Sequence, residues 1–349
     1  MLSDNPVPAP QFHLTFGSLL SDNDRIPKSL RQACKAEPVY VRLGSIFHDL
    51  PYYGNMLAEA IRYGLKSQPI DAPWAYRMHS VRPDRFVASF VRAAHAADLA
   101  RDEKLALIAG LISHCALDLT LHPLVNHCAR RDAAIDGGHE TFHHRITEKY
   151  HSLFFHVDRM GDDSIGTSTI LKQTHVVKDG SLFRYRAHVE PQIAGFMRDA
   201  YRGVYGDAPD VERWAGWVQS FRHFGIMVAS PMARRNSLKV RRDPKLRARY
   251  FESTDFRFYE FYAASERRVI ELGTLAYDYF EAGDFSKTAE GRFVRAARID
   301  DLAEPTPQAI DRLPSLPSLD RGAKVLPLRL TIPRIFGGRG RRAAALGRA

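Results

Sequence analysis

The segment 102–122, DEKLALIAGLISHCALDLTLH, is apolar on nearly every side of a helical wheel. A helix of that kind has no face to offer water, so the rest of the chain must wrap around it. Asp102 and Glu103 suit its N-terminal end and Pro123 marks its expected exit. The longest apolar run, Leu105 to Leu121, contains His114 and Asp118, which argues against a membrane span. His114, Asp118 and His122 fall at i, i+4 and i+8, on one face of this otherwise apolar helix. Buried imidazoles and a buried carboxylate are costly without a compensating cation. They form either a satisfied His–Asp pair of the core or one half of a metal site, and three such residues on one face favour the metal.

Eight of the 15 histidines lie between His114 and His156. The following pattern, GGHETFHHRITEKYHSLFF, reads as another helix over 139–156. It repeats the motif, with His144 and Glu148 one turn apart. Glu140, His144, Glu148 and His151 form one stripe, and His139 and His143 an adjacent one. The plain alternative is a polar exposed face. His143 competes with His144 as a ligand, and the spacing to Glu148 favours His144. His13, His48, Asp49 and His79 are isolated upstream, and lone residues of this kind are usually structural.

The remaining patterns are helical too. Residues 84–100 place Phe86, Phe90 and Ala93 on one stripe, with Asp84 a candidate cap. Residues 183–204, 210–229 and 256–282 are long and rich in aromatics. Segment 37–55 is punctuated by Pro and Gly and reads as a loop-rich connection. Strand-like alternation is rare, with 167–177 the best example. The fold class is therefore all-α, a multi-helix bundle. We expect a metal-binding core over 1–160, further helices over 161–300 that complete the same domain or form a lid, and a Pro-rich linker with a disordered basic tail over 301–349.

With 20 Phe, 14 Tyr and 3 Trp the chain needs a core, which excludes global disorder. Three cysteines exclude a disulfide framework, and Cys115 reads as a small core residue. Cys34 and Cys128 carry no motif. The start of the chain has neither a basic nor an apolar leader region, so the expected compartment is the cytoplasm. Of the formal net charge of +10, eight positive residues with no acid lie from Arg321 onward, so the body is near neutral. A second basic stretch, 234–249, sets eight positive residues against Asp243 alone. These stretches are either solvated or suited to an anionic surface such as a membrane, where the protein would sit peripherally.

The order His13, LGSIFHDLPY, His79, GLISHCALDLTLHPLVN and HRITE resembles the zinc-dependent phospholipase C family. It is similar to the catalytic domain of glycosylphosphatidylinositol-specific phospholipase D and, more remotely, to the S1/P1 nucleases. The resemblance covers roughly residues 10–155. It implies an all-helical fold around two or three Zn2+ ions. By position, His13 is the amino-terminal His ligand and Asp49 the bridging carboxylate and base. His79, His114 and Asp118 complete one site, and His122, His144 and Glu148 hold another. The chain lacks the amino-terminal Trp ligand of the secreted bacterial phospholipases. Its Asp118–His122 spacing is shorter than theirs and closer to the phospholipase D type. The implied activity is zinc-dependent phosphodiester hydrolysis of a phospholipid or related phosphoester. Nucleic acid is the less favoured substrate, and a non-catalytic helical binding protein with a structural metal is the remaining alternative.

Overall fold

Several helices open on a proline, whose missing N–H costs nothing in a first turn, and two open on a side-chain cap, Asp243 and Ser286. The structure is a computed structural model and describes residues 10–55, 73–160, 177–179, 186–188, 191–228, 238–254, 256–305 and 313–316. In chain order the elements are α1 (Pro10–Leu19), α2 (Lys28–Ala36), α3 (Pro38–Ile46), a 3-10 segment (Phe47–Asn55), α4 (Pro73–Ser80), α5 (Pro83–Ala96), α6 (Arg101–Asp136) and α7 (Glu140–Met160). A two-stranded antiparallel ribbon follows, β1 (Val177–Asp179) with β2 (Arg186–His188), in the register Lys178 opposite Ala187. Then come α8 (Pro191–Tyr205), α9 (Val211–Val228), α10 (Pro244–Tyr250), α11 (Phe258–Ala282) and α12 (Lys287–Ala297).

The central helix is longer than its sequence suggests. α6 runs through Pro123 and stops at Gly137, whose φ of +70° is left-handed. Pro123 forfeits one backbone hydrogen bond, but Leu119, Leu121, Leu124 and Val125 around it are all buried and hold both turns in place. At its start Glu103 accepts the Ala100 N–H at 2.8 Å. By length and composition α6 could cross a membrane, yet its apolar stretch is wholly buried in protein. α3, α7 and α11 pack directly on it. The α3 crossing is the closest: a Cβ on Gly110 would lie 2.0 Å from the Val41 carbonyl and 2.9 Å from the Gly44 Cα. Only glycine at both positions permits that approach.

One continuous hydrophobic core runs from Phe12 to Leu302. α8 packs on α5, and α9 on the 3-10 segment, where Trp214 stacks on Phe47 with ring centroids 5.0 Å apart. α11 packs on α6, with the Thr120 and Ser265 hydroxyls 2.6 Å apart. The helices beyond residue 190 therefore share the core of the helices before 160.

Several expectations are corrected. Segment 37–55 is helical, because Pro38 occupies the first turn of α3, where its missing N–H costs nothing. Asp84 lies inside the first turn of α5, whose cap is Arg82 at φ 57°. The first residues of 183–204 do not extend a helix, since 186–188 form β2. Of the strand candidate 167–177 only Val177 is described, in β1, and the rest lies outside the described residues. Within 234–249, Asp243 caps α10 by accepting the Lys245 and Leu246 N–H groups. Arg247 then pairs with Asp158 and Glu252. Arg249 is buried against Asp132, which also accepts from Arg131 and Tyr250. Two of those positive charges are thus spent inside the fold rather than presented to solvent. The tail from Arg321 lies outside the described residues. The ordered body continues past residue 300: Leu302 is fully buried, so residues 301–305 are not linker.

Candidate metal centre

Five elements deliver eight side chains to one place. α1 brings His13, the 3-10 segment Asp49, α4 His79, α6 His114, Asp118 and His122, and α7 His144 and Glu148. Three sets of donor atoms lie close enough to share an ion: His13, His114 and Asp118; Asp49, His79 and His114; His122, His144 and Glu148. Asp118 rather than Asp49 is the carboxylate nearest most imidazoles. It lies 3.0 Å from His114, 3.5 Å from His13, 3.6 Å from His79 and 3.7 Å from His122, each measured to Nε2. Asp49 approaches only His79, at 3.5 Å, and His13, at 3.8 Å. Glu148 joins His122 at 3.2 Å and His144 at 3.3 Å.

These distances carry chemical information. A charge-assisted N–H···O bond closes to ~2.7–2.9 Å. Two donors held tetrahedrally by one zinc at ~2.1 Å stand ~3.4 Å from each other. Most of the contacts fall near the second value, including the 3.4 Å between Nε2 of His79 and Nε2 of His114. The opposite ring nitrogens of His79, His114, His122 and His144 are engaged, whereas Nδ1 of His13 has no partner among the described residues. Nδ1 of His114 donates to the Ser45 carbonyl at 2.8 Å, Nδ1 of His79 to the Ala75 carbonyl at 2.8 Å, and Nδ1 of His122 to the Leu302 carbonyl. Nδ1 of His144 meets the Asn126 side-chain oxygen at 2.7 Å. A carbonyl can only accept, so each Nδ1 carries a hydrogen and each neutral ring turns its Nε2 lone pair toward the others. Lone pairs facing lone pairs and carboxylates repel unless a cation stands between them. The residues present fit zinc on this ground, with outer hydrogen bonds of the kind that orient metal-binding imidazoles.

The electrostatics of the metal-free site show the same demand for positive charge. Burial alone would depress His114 and His122, but it is outweighed by the Asp118 charge together with Asp49 and hydrogen bonds for His114, and with Glu148 and the Leu302 carbonyl for His122. Both are lifted to about 9. Burial opposes ionisation of Asp118 and Glu148 too, yet the surrounding imidazoles hold both carboxyls well below the usual range. His13 goes the other way: burial and the neighbouring His114 push it down to about 4.

The centre forms one wall of a cavity of about 260 Å3 that includes Asp49, His79, Asp118, His144 and Glu148. Tyr52, Asn126, Arg130 and Arg145 also line it. Sequence reasoning missed these four. Asn126 and Arg130 were within its reach, because they continue the i+4 stripe of His114, Asp118 and His122. Ala303 and Glu304 complete the mouth, where Arg130 lies 3.8 Å from Glu140 and 3.9 Å from Glu304. The other histidines of α7 turn away from the cavity: His143 Nε2 donates to the Gly137 carbonyl and His151 Nε2 to the Tyr250 carbonyl. His48 is fully buried, stacked on His114 at 4.7 Å, and neither ring nitrogen has a partner among the described residues. Cys34, Cys115 and Cys128 are buried, and none is in a disulfide among the described residues.

The family model of zinc dependent phospholipase C matches residues 12–209. The chain belongs to this family. Searches of curated proteins and of solved structures returned no match. The phospholipase C match runs past α7 and through α8, further than the motifs upstream of residue 155 reach. It spans His13, Asp49, His79, His114, Asp118, His122, His144 and Glu148 and stops well short of the residues 301–305 that reach the same site.

Proposed function

We propose that the protein is a zinc-dependent phosphodiesterase that hydrolyses a phospholipid or related phosphoester, with two or three zinc ions held by the eight side chains above. The reading rests on one observation: lone-pair donors and carboxylates spaced for shared ions lie in the wall of an open cavity rather than closed off inside the core. A purely structural metal would need no such access.

Bound zinc would lower the pKa of a water toward neutrality and offset charge developing on the phosphoryl group. The chain's own residues account for the rest. Asp49 Oδ2 is buried and has no hydrogen-bond partner among the described residues, so it is free to orient a water and take its proton. As the water oxygen bonds to phosphorus, the P–O bond to the leaving alcohol breaks, and the proton held on Asp49 passes to that alcohol. Arg145 presents a guanidinium to the phosphate from the cavity wall. Burial and the Asp49 charge raise the Tyr52 phenol, so it remains a neutral hydrogen-bond donor at neutral pH. Tyr52 is the one Phe, Tyr or Trp among the described residues lining the cavity, which gives little platform for stacking a nucleobase.

The test is Asp49→Asn in zinc-loaded protein, assayed on a chromogenic phosphodiester. Hydrolysis per bound zinc should fall about 10²–10⁴-fold. Wild-type turnover in a zinc-replete variant would exclude Asp49 as the base. Wild-type protein that takes up zinc without hydrolysing any phosphodiester would leave the binding-protein reading in its place.

A further inference from the structure

The His122, His144 and Glu148 set is held differently from its neighbours. Nδ1 of His114 and Nδ1 of His79 rest on the Ser45 and Ala75 carbonyls, within the helices α3 and α4. His122 rests instead on the carbonyl of Leu302, far along the chain. The Leu302 N–H donates in turn to the His79 carbonyl at 2.7 Å, so one residue's backbone spans two ligand-bearing helices. Asn126 makes the second link. Its Nδ2 donates to the Ala303 carbonyl at 3.0 Å, which fixes the amide orientation, because a carbonyl cannot donate. Its Oδ1 must then face Nδ1 of His144, 2.7 Å away, and that ring must carry its hydrogen there. Asp301 stiffens the turn: its Oδ1 accepts from Ser80 Oγ and from the Ala303 and Glu304 N–H groups. Leu302 itself is fully buried.

From these contacts we infer that residues 301–305 form a strap that sets the tautomers of His122 and His144, directly through Leu302 and indirectly through Asn126, and so gives the second zinc set its affinity. Leu302 and Asn126 are positioning residues; neither is a ligand. The inference rests on the zinc reading of the site. It assigns a part of the centre to a stretch beyond residues 12–209, the span of the family match. It also divides the centre in two, since His79 and His114 of the other set have their tautomers set by the Ala75 and Ser45 carbonyls instead.

The experiment titrates zinc into the full chain against a chromogenic chelator, for the wild type, Leu302→Ala and Asn126→Leu. Each variant should weaken one class of zinc about 10–100-fold and leave the other within about twofold. Linkage requires the converse as well. Zinc added to wild-type protein should slow amide hydrogen exchange at Leu302, Ala303 and Glu304, a readout that does not depend on either variant folding. Unchanged zinc affinity in both variants, or strap exchange indifferent to zinc in a wild type that binds it, overturns the strap. Wild-type protein that takes up no zinc overturns the metal reading and the strap with it.

Discussion

Gly110→Ala is the sharpest test of how the fold builds the site. The added methyl would stand 2.0 Å from the Val41 carbonyl, 2.8 Å from the Ser45 nitrogen and 2.9 Å from the Gly44 Cα. All three are backbone atoms and cannot rotate aside, so α3 must retreat by roughly 1 Å or more to restore ordinary contact at ~3.5 Å. Ser45 moves with it. Its bond to His114, now 2.8 Å, would stretch to about 3.8 Å, beyond hydrogen-bond range. Overpacking costs ~1–3 kcal/mol and a lost buried hydrogen bond ~1–3 kcal/mol, against ~1 kcal/mol gained in helix propensity. The net is about 3 kcal/mol, or a fall in Tm of roughly 4–5 °C at ~2.1 cal/mol/K of unfolding entropy per residue. Thermal unfolding by circular dichroism measures it. Gly195→Ala in α8 is the control, because nothing lies within 4 Å of its added Cβ. The control should gain up to ~1 kcal/mol. Zinc affinity should fall about 10–100-fold in Gly110→Ala alone. A Gly110→Ala protein as stable as wild type and binding zinc equally well would refute the close-crossing argument.

Metal removal and pH should act in opposite directions. In chelated protein, His114 and His122 stand at about 9 against 6.5 unfolded. Their contribution is therefore complete below pH 6.5 and lost as pH rises through 9. Zinc displaces those protons, so its affinity rises over the same window by up to ~tenfold per proton per pH unit. Tm should fall with pH in chelator and rise with pH in excess zinc; parallel curves would contradict the assignment. At the acid end His151 is held near 4, chiefly by burial. It takes stability away as pH falls from 6.5 to 4, and His151→Gln should flatten the acid limb of the unfolding curve. Asp132→Ala strips an acceptor from buried Arg131 and Arg249 and from Tyr250. The expected loss is ~3–5 kcal/mol in chemical denaturation, and a loss below ~1 kcal/mol would mean that water replaces the carboxylate.

What the sequence disclosed depended on whether the signal was local. His114, Asp118 and His122 were legible because a helix fixes which residues share a face, and the same period would have yielded Asn126 and Arg130 had it been carried two more turns. His13, Asp49 and His79 have no local pattern; only resemblance to a family singled them out. Proline misled twice in opposite settings. Pro38 opens α3 where a connection was expected, and Pro123 sits inside α6 where an end was expected. The first follows a local rule, that proline suits a helix's first turn, and the second turns on burial of the turns around Pro123, which no local rule contains. The strap was invisible for a deeper reason: its contribution is a pair of backbone carbonyls, and every residue has one.

That His13 of α1 and residues 303–304 line one cavity has a consequence for biosynthesis. His13 is among the first described residues to be made, and Leu302 follows only after every helix named here. A nascent chain can bury α6 and collapse around it before the last wall of the metal centre exists. Completion of the centre is then a late event, and a chain arrested before residue 302 would carry the ligands without their final alignment. On the proposed zinc reading, full occupancy of the centre would come only with the finished chain.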